Sequence, residues 1–312
     1  MNLFATVLTN VAPSANYRGA SELNRAVMQR VTQGRFEYAV ISPEALRNAL
    51  RETLRQYGLP SNRERLHNED QLAVRFSGYP DPEQYIDDFF FGYMVAKRAD
   101  VPAKLVKERN FQFKRDSILR MNLAVAIEPY RHDALFTQSP LTVKNPDAPW
   151  QNATESALLH RETSVTAFQY PFAMNLDDCR LDSEQHQDWL RHLLRGISEL
   201  NGAAGNHARS YFEMAPASIL IRQTDRLAAG YDLYGFRPGG GLPEVIEGIL
   251  AGDYPGSEFT LGGALVRNVL DDATREALRE RGASLHRTAD QALDATAAVL
   301  TGRGFTSPAT QN

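Results

Sequence analysis

Cysteine is nearly missing from this chain: Cys179 stands alone among 312 residues. An internal disulfide is therefore excluded. With no CxxC companion a cysteine zinc site is excluded as well, and a reducing compartment is favoured. Long apolar runs are missing too, and no uninterrupted stretch suffices to span a bilayer. The opening residues MNLFATVLTNVAPSA have the outline of a signal sequence. They lack a basic segment, however, and Thr6, Thr9 and Asn10 interrupt the apolar run. A cytoplasmic protein with no membrane partner is expected. Nor is there a surplus of positive charge, because the formal net charge is −4. A globally basic nucleic-acid binder is excluded, so any polyanion site has to be a local patch.

Catalytic signatures are missing in the same way. There is no HExxH, no GxSxG and no Walker motif. The glycine-rich turn RPGGGLP at 237–243 lacks the Lys-Ser/Thr of a nucleotide loop and no clear strand and helix frame it. His186 and His192 are six residues apart and do not share a helix face as a metal pair would. Neither an enzyme nor a cofactor is expected.

What is present is an ordinary globular composition, 43% hydrophobic and 23% charged, long enough for one large domain or two smaller ones. Such a chain buries a core without help from metal or disulfide. The best-marked element is the helix over 41–58. Ser42 is a good N-cap, Pro43 takes the first helical position, and Gly58 lies just past the end. Leu46, Leu50 and Leu54 form an apolar stripe, and Arg47, Arg51 and Arg55 repeat at the same spacing about 100° round the helix. The row reads either as a solvated face or as a rail for phosphates. Few acids lie nearby, only Glu44 and Glu52.

Upstream, residues 3–11 read as a central strand and residues 36–41 as a short one. Between them 12–35 is dense in Arg and Asn, with one acid, Glu22, and a short helix is expected over 21–31. Downstream, residues 58–116 break the simple pattern. Phe89, Phe90 and Phe91 are either a small core or a stacking platform. From Lys97 to Arg120 eight basic residues face three acids, a patch that suits a polyanion. Residues 116–130 read as a strand buried on both faces. Residues 131–156 read as a long polar connection, which returns through 157–163 into a strand over 164–174. An amphipathic helix is expected over 184–200, a small flexible loop over 202–209, and a strand over 210–222. Two helices are expected over 271–281 and 284–300, then a polar tail.

In order, a strand, an N-Y-R-G loop, a basic helix, Gly34-Arg35, a short strand and I-S-P-E-A-L-R-N-A-L-R resemble a known family. It is the DevR-like branch of the CRISPR backbone subunits, the repeated subunit of type I Cascade, within the RAMP superfamily and type I-B-like. The likeness in letters covers 3–57; beyond that it is carried by order and shape.

The resemblance implies an α+β fold, a modified ferredoxin-like (RRM-like) palm with an inserted fingers subdomain and a thumb hairpin. The palm would comprise 1–57, 116–130 and 164–300, the fingers 58–115, the thumb 131–163 and the tail 301–312. It also implies binding of guide RNA (crRNA) along its backbone by copies of the chain polymerised into a helical filament. The partners would be other Cascade subunits, and target DNA would be met through the guide. Ser42, Arg47 and Arg51 would hold phosphates, together with Arg18, Arg25 and Arg35 and with Asn16 in the loop. Leu158, Leu159 and His160 would wedge between bases, and Asn206, His207 and Arg209 would touch the RNA from the second loop. The aromatic signature of base-stacking RRM proteins is missing, which favours backbone recognition. The residues by themselves support a binder of an extended polyanion. Two alternatives stand beside this reading. One is a RAMP-type endoribonuclease using His132, His160 or His207, or Asp133 with a metal. The other is a nucleic-acid-binding autoregulator.

Overall fold

The computed structural model describes residues 1–14, 17–22, 25–67, 72–96, 101–108, 111–131, 133–138, 158–203 and 214–305. Along the chain come β1 (Asn2–Thr9), β2 (Ala12–Ser14), β3 (Tyr17–Glu22), β4 (Arg25–Met28), β5 (Arg30–Gln33), β6 (Phe36–Ile41) and α1 (Pro43–Gln56). Then follow β7 (Arg63–His67), β8 (Leu72–Phe76), α2 (Ile86–Phe91), β9 (Tyr93–Met94), α3 (Ala103–Glu108) and β10 (Lys114–Arg115). The middle holds β11 (Arg120–Met121), β12 (Ala124–Ala126), β13 (Asp133–Gln138), β14 (Leu158–Thr166), β15 (Phe168–Asn175) and α4 (Glu184–Ser198). The chain closes with β16 (Pro216–Thr224), α5 (Pro243–Ala251), β17 (Phe259–Gly263), α6 (Asp272–Glu280), β18 (Ser284–His286) and α7 (Ala289–Thr301).

β1 is central, as its composition suggests. It lies antiparallel between β15 and β16 in a nine-stranded sheet of order β18-β17-β16-β1-β15-β12-β6-β5, with β11 also on β15. Successive side chains of a strand point to opposite faces, and this sheet has a core on each. Leu3, Ala5 and Val7 of β1 and Ile219 and Ile221 of β16 join the larger core, with the inward stripes of α1, α4 and α7. Leu8 and Leu220 face the smaller one, under α5. Helices α1 and α4 meet where Gly196 leaves no Cβ; one there would come within 2.9 Å of a Leu50 methyl. A separate five-stranded sheet orders β13-β14-β4-β3, with β2 on β14.

Four expectations are corrected. The described residues of 21–31 form strands and not a helix. Arg25 and Ala26 pair with His160 and Arg161 in a parallel ladder, Met28 N–H donates to the Glu162 carboxylate at 3.0 Å, and Gly34 closes the β5–β6 hairpin. Partners far away in sequence outweigh local preference here. The strand expected over 116–130 is two short ones, because Asn122 turns its side-chain oxygen onto Leu123 N–H at 2.8 Å and interrupts the ladder. The connection after 131 starts with a strand, β13, which pairs antiparallel with β14. Residues 284–286 form the parallel edge strand β18, and α7 starts later, where Thr288 and Gln291 make a reciprocal cap. Among the described residues, no helix is long and apolar enough to cross a membrane.

Candidate nucleic-acid interface

Helix α1 forms as its sequence requires. The Ser42 hydroxyl accepts from Ala45 N–H at 3.2 Å, and Leu46, Leu50 and Leu54 are fully buried. The three arginines beside that stripe then part company. Arg55 stays exposed and pairs with Glu52 at 3.4 Å. Arg47 and Arg51 lean toward the segment that follows the helix. Arg47 donates to the Phe91 carbonyl at 2.7 Å, and both guanidinium groups lie over the Phe91 ring, at 5.9 and 4.7 Å. Arg51 is only 9% exposed and donates to the Asn48 side chain.

The same carboxyl end of α2 receives a third arginine. Arg63 at the start of β7 donates to the Gly92 carbonyl at 2.5 Å and pairs with Asp87 at 3.3 Å and Asp88 at 3.5 Å. Gly92 has φ of +63°, and a Cβ there would collide with the Arg115 carbonyl. Asp87 and Asp88 are fully buried; they also accept from Asn62, whose own side chain accepts from Gly78 N–H at 2.8 Å. Both ends of the β7–β8 hairpin are thus pinned to α2. Burial and the neighbouring Asp87 charge push the Asp88 carboxyl above its usual range.

Between α1 and this hairpin opens a cavity of about 280 Å³, lined by Glu44, Arg47, Asn48, Arg51, Arg63, Val74, Arg75 and Phe76. Four of its eight lining residues are arginines, and the single acid is Glu44. Arg75 is held at the surface by Glu64 at 2.9 Å, and Arg63 by the aspartates. Arg47 and Arg51 form no ion pair among the described residues, and the buried Nε of each has no hydrogen-bond partner. Burial lowers the pKa of both; Arg51 is pushed down to about 9, with Arg63 next in effect, and stays charged at neutral pH. Arg51, buried, and Arg47, half-buried, line an open cavity with no carboxylate in direct contact, although Glu44 acts on Arg47 and Asp87 and Asp88 on Arg51 at longer range. Such a site gains by taking up an anion, and a planar guanidinium fork matches phosphate oxygens.

A second cluster lies on the β13–β14 hairpin. Phe136 and His160 are directly opposed, with ring centroids 4.2 Å apart, and Phe136 is 68% exposed. The backbone of Arg25 runs beside His160.

Comparison with known proteins places the chain. No protein-family model matches it. A CRISPR-associated protein Cas7/Cst2/DevR of Myxococcus xanthus (strain DK1622) is 30% identical over 302 residues, covering 92% of this chain and 93% of that protein. The chain belongs to the Cas7/Cst2/DevR family. Its fold is similar to a chain of a CRISPR RNA-guided surveillance complex in a pre-nicking state. There the TM-score is 0.60 at 12% identity, over 96% of this chain and all of that one. A chain of a second CRISPR RNA-guided surveillance complex gives a TM-score of 0.55 at 14% identity, over 96% and 99%. The mixed α+β architecture with one large mixed sheet is shared with them.

On this Cas7/Cst2/DevR chain the expected site residues fall into groups. Ser42, Arg47 and Arg51 come together on α1, the first as its cap. Arg35 is an exposed hairpin residue with its guanidinium 4.9 Å from the Phe36 ring. Arg18 and Arg25 lie on β3 and β4 of the smaller sheet, with His160 on β14, a strand where a loop was expected. Asp133 likewise begins β13, opposite Thr163. Asn16, His132, Asn206, His207 and Arg209 lie outside the described residues. Phe89, Phe90 and Phe91 are buried, with Phe89 stacked on His186 at 4.4 Å, so they are a core and not a platform. Arg63, Phe76 and Phe136 were missed. No periodic signal marked the first two: 63–67 reads R-E-R-L-H and 72–76 reads L-A-V-R-F, neither of which alternates.

Proposed function

We propose that this chain binds a guide RNA along its backbone as the repeated subunit of a CRISPR surveillance complex. The observation that carries this reading is the pair of guanidinium groups of half-buried Arg47 and buried Arg51, unpartnered at Nε beside an open cavity in a Cas7/Cst2/DevR member. Phosphates seated there are held by charge and geometry alone, so binding does not depend on base sequence. In this reading β1, β12, β15 and β16 with α1 and α4 form the ferredoxin-like palm, and residues 58–115 form the fingers. The β13–β14 hairpin is then the thumb, placing His160 and Phe136 where bases can lean on them. Copies lie side by side in a helical filament along the RNA, with other Cascade subunits capping it, and the guide pairs with target DNA. The family names of the relatives and the surveillance complexes with the same fold support this.

The test is the nucleic acid that copurifies. Absorbance of the purified protein and a denaturing gel of its extract should reveal RNA in large, salt-sensitive assemblies, and added RNA should stay intact, as befits a binder rather than a nuclease. The double variant Arg47→Gln with Arg51→Gln should lose RNA at least about tenfold, with an unchanged circular dichroism spectrum. A wild-type protein that carries no nucleic acid and fails to retard single-stranded RNA at low salt overturns the reading.

A further inference from the structure

The cavity beside α1 has a second wall that backbone binding does not use. It is built from β8: Val74 and Phe76 are each 39% exposed and line the cavity across from Arg47 and Arg51. A soluble protein gains nothing by holding an aromatic ring half in water. This ring is nevertheless kept in place, because the Arg63 guanidinium lies 4.9 Å from its centroid and Arg63 is itself fixed by Asp87, Asp88 and Gly92. One side of the cavity is thus cationic, with Arg51 nine-tenths buried and its Nε unpartnered. The other, on the hairpin, presents Val74 and Phe76 beside Arg63 and Arg75, whose charges are already paired with Asp87, Asp88 and Glu64.

We propose that the β7–β8 hairpin is a base-stacking wall: a phosphate on Arg47 and Arg51 places the base of an adjoining nucleotide against Phe76 and Val74. A nucleotide has this same division, an anionic phosphate and a flat apolar base about a sugar's width apart. The cavity, at about 280 Å³, admits part of one nucleotide while its open side lets the strand continue. Stacking on a ring is tolerant of sequence because every base has a π-face. The hairpin therefore adds affinity without adding specificity, and it ties the 58–115 segment to the bound strand. This inference rests on the reading that RNA is bound at α1, and the two are separable by experiment.

The full-length protein is titrated with fluorescein-labelled oligoadenylate at several salt concentrations, and with a strand of the same length built from abasic residues. Phe76→Ala should weaken oligoadenylate binding about tenfold at every salt concentration, leaving the salt slope unchanged, because stacking displaces no counterions. On the abasic strand the variant and the wild type should bind alike. Arg51→Gln should instead flatten the slope by about 0.7, the share of one phosphate on a single strand. Phe76→Trp, which keeps an aromatic ring in place, should have its added fluorescence quenched by oligoadenylate and not by the abasic strand. A Phe76→Ala variant with wild-type affinity, together with an unquenched Phe76→Trp, overturns the stacking wall while a flattened slope in Arg51→Gln leaves RNA binding at α1 standing. Wild-type protein that binds neither strand overturns both.

Discussion

Arg222 and Arg51 are both buried arginines, and they sit in opposite kinds of surroundings. Arg222, on β16 and fully buried, pairs with Glu258 at 2.7 Å, donates to the Ala229 carbonyl at 2.6 Å and lies over the rings of Tyr254 and Phe259. Arg51 touches a neutral amide and an aromatic ring, feels the Asp87 and Asp88 carboxylates only at longer range, and has open space beside it. A buried cation costs several kcal/mol unless it is paired. The first arginine has that cost met within the fold, and its role is structural. The second has it only partly met, by Asp87 and Asp88 at longer range, which fits the proposed phosphate site.

The comparison breaks most visibly at Glu258. Replacing it with alanine strands the Arg222 charge, and urea unfolding should reveal a loss of about 3 kcal/mol with RNA affinity unchanged. If stability holds, the Arg222 end is not the self-sufficient one. Arg51→Met should do the reverse. Removing an unpaired buried charge should leave stability equal or slightly higher, while RNA affinity drops about tenfold and the salt slope flattens. A smaller effect comes from His186, packed on Phe89 and Trp189 under the α2 core. Burial, and then Arg180, lower its pKa from the ordinary 6.5. The unfolded chain therefore binds its proton first, and stability should be present above pH 6.5 and be lost as the pH falls through the lower folded value. His186→Gln should remove that part of the acid sensitivity in thermal melts. The smallest effect belongs to Arg55, exposed and paired with Glu52. Arg55→Ala should change stability by under about 0.5 kcal/mol and RNA binding less than twofold, marking the end of the rail at Arg51.

Helix α1 was fully legible because everything that forms it is local: the Ser42 cap, Pro43 and a leucine every four residues. The central place of β1 was legible for a similar reason, an apolar run with no face left for water. Strand β4 was not, since it is held by β14 and by Glu162, more than 130 residues away, whereas β5 pairs with its neighbour β6. The spacing of Arg47, Arg51 and Arg55 was equally silent about their different fates. All three repeat alike on the helix, yet only the first two meet the carboxyl end of α2.

From the sequence alone came a chain with one cysteine, a net negative charge, a capped helix edged with arginine, and a motif order that resembles the CRISPR backbone subunits. Local propensity and periodicity are enough for those. Which arginine is left without a carboxylate in contact, and which aromatic ring faces a cavity instead of the core, was decided only in the folded protein. Desolvation and pairing depend on neighbours that are distant in the chain, and no spacing rule along the sequence encodes them.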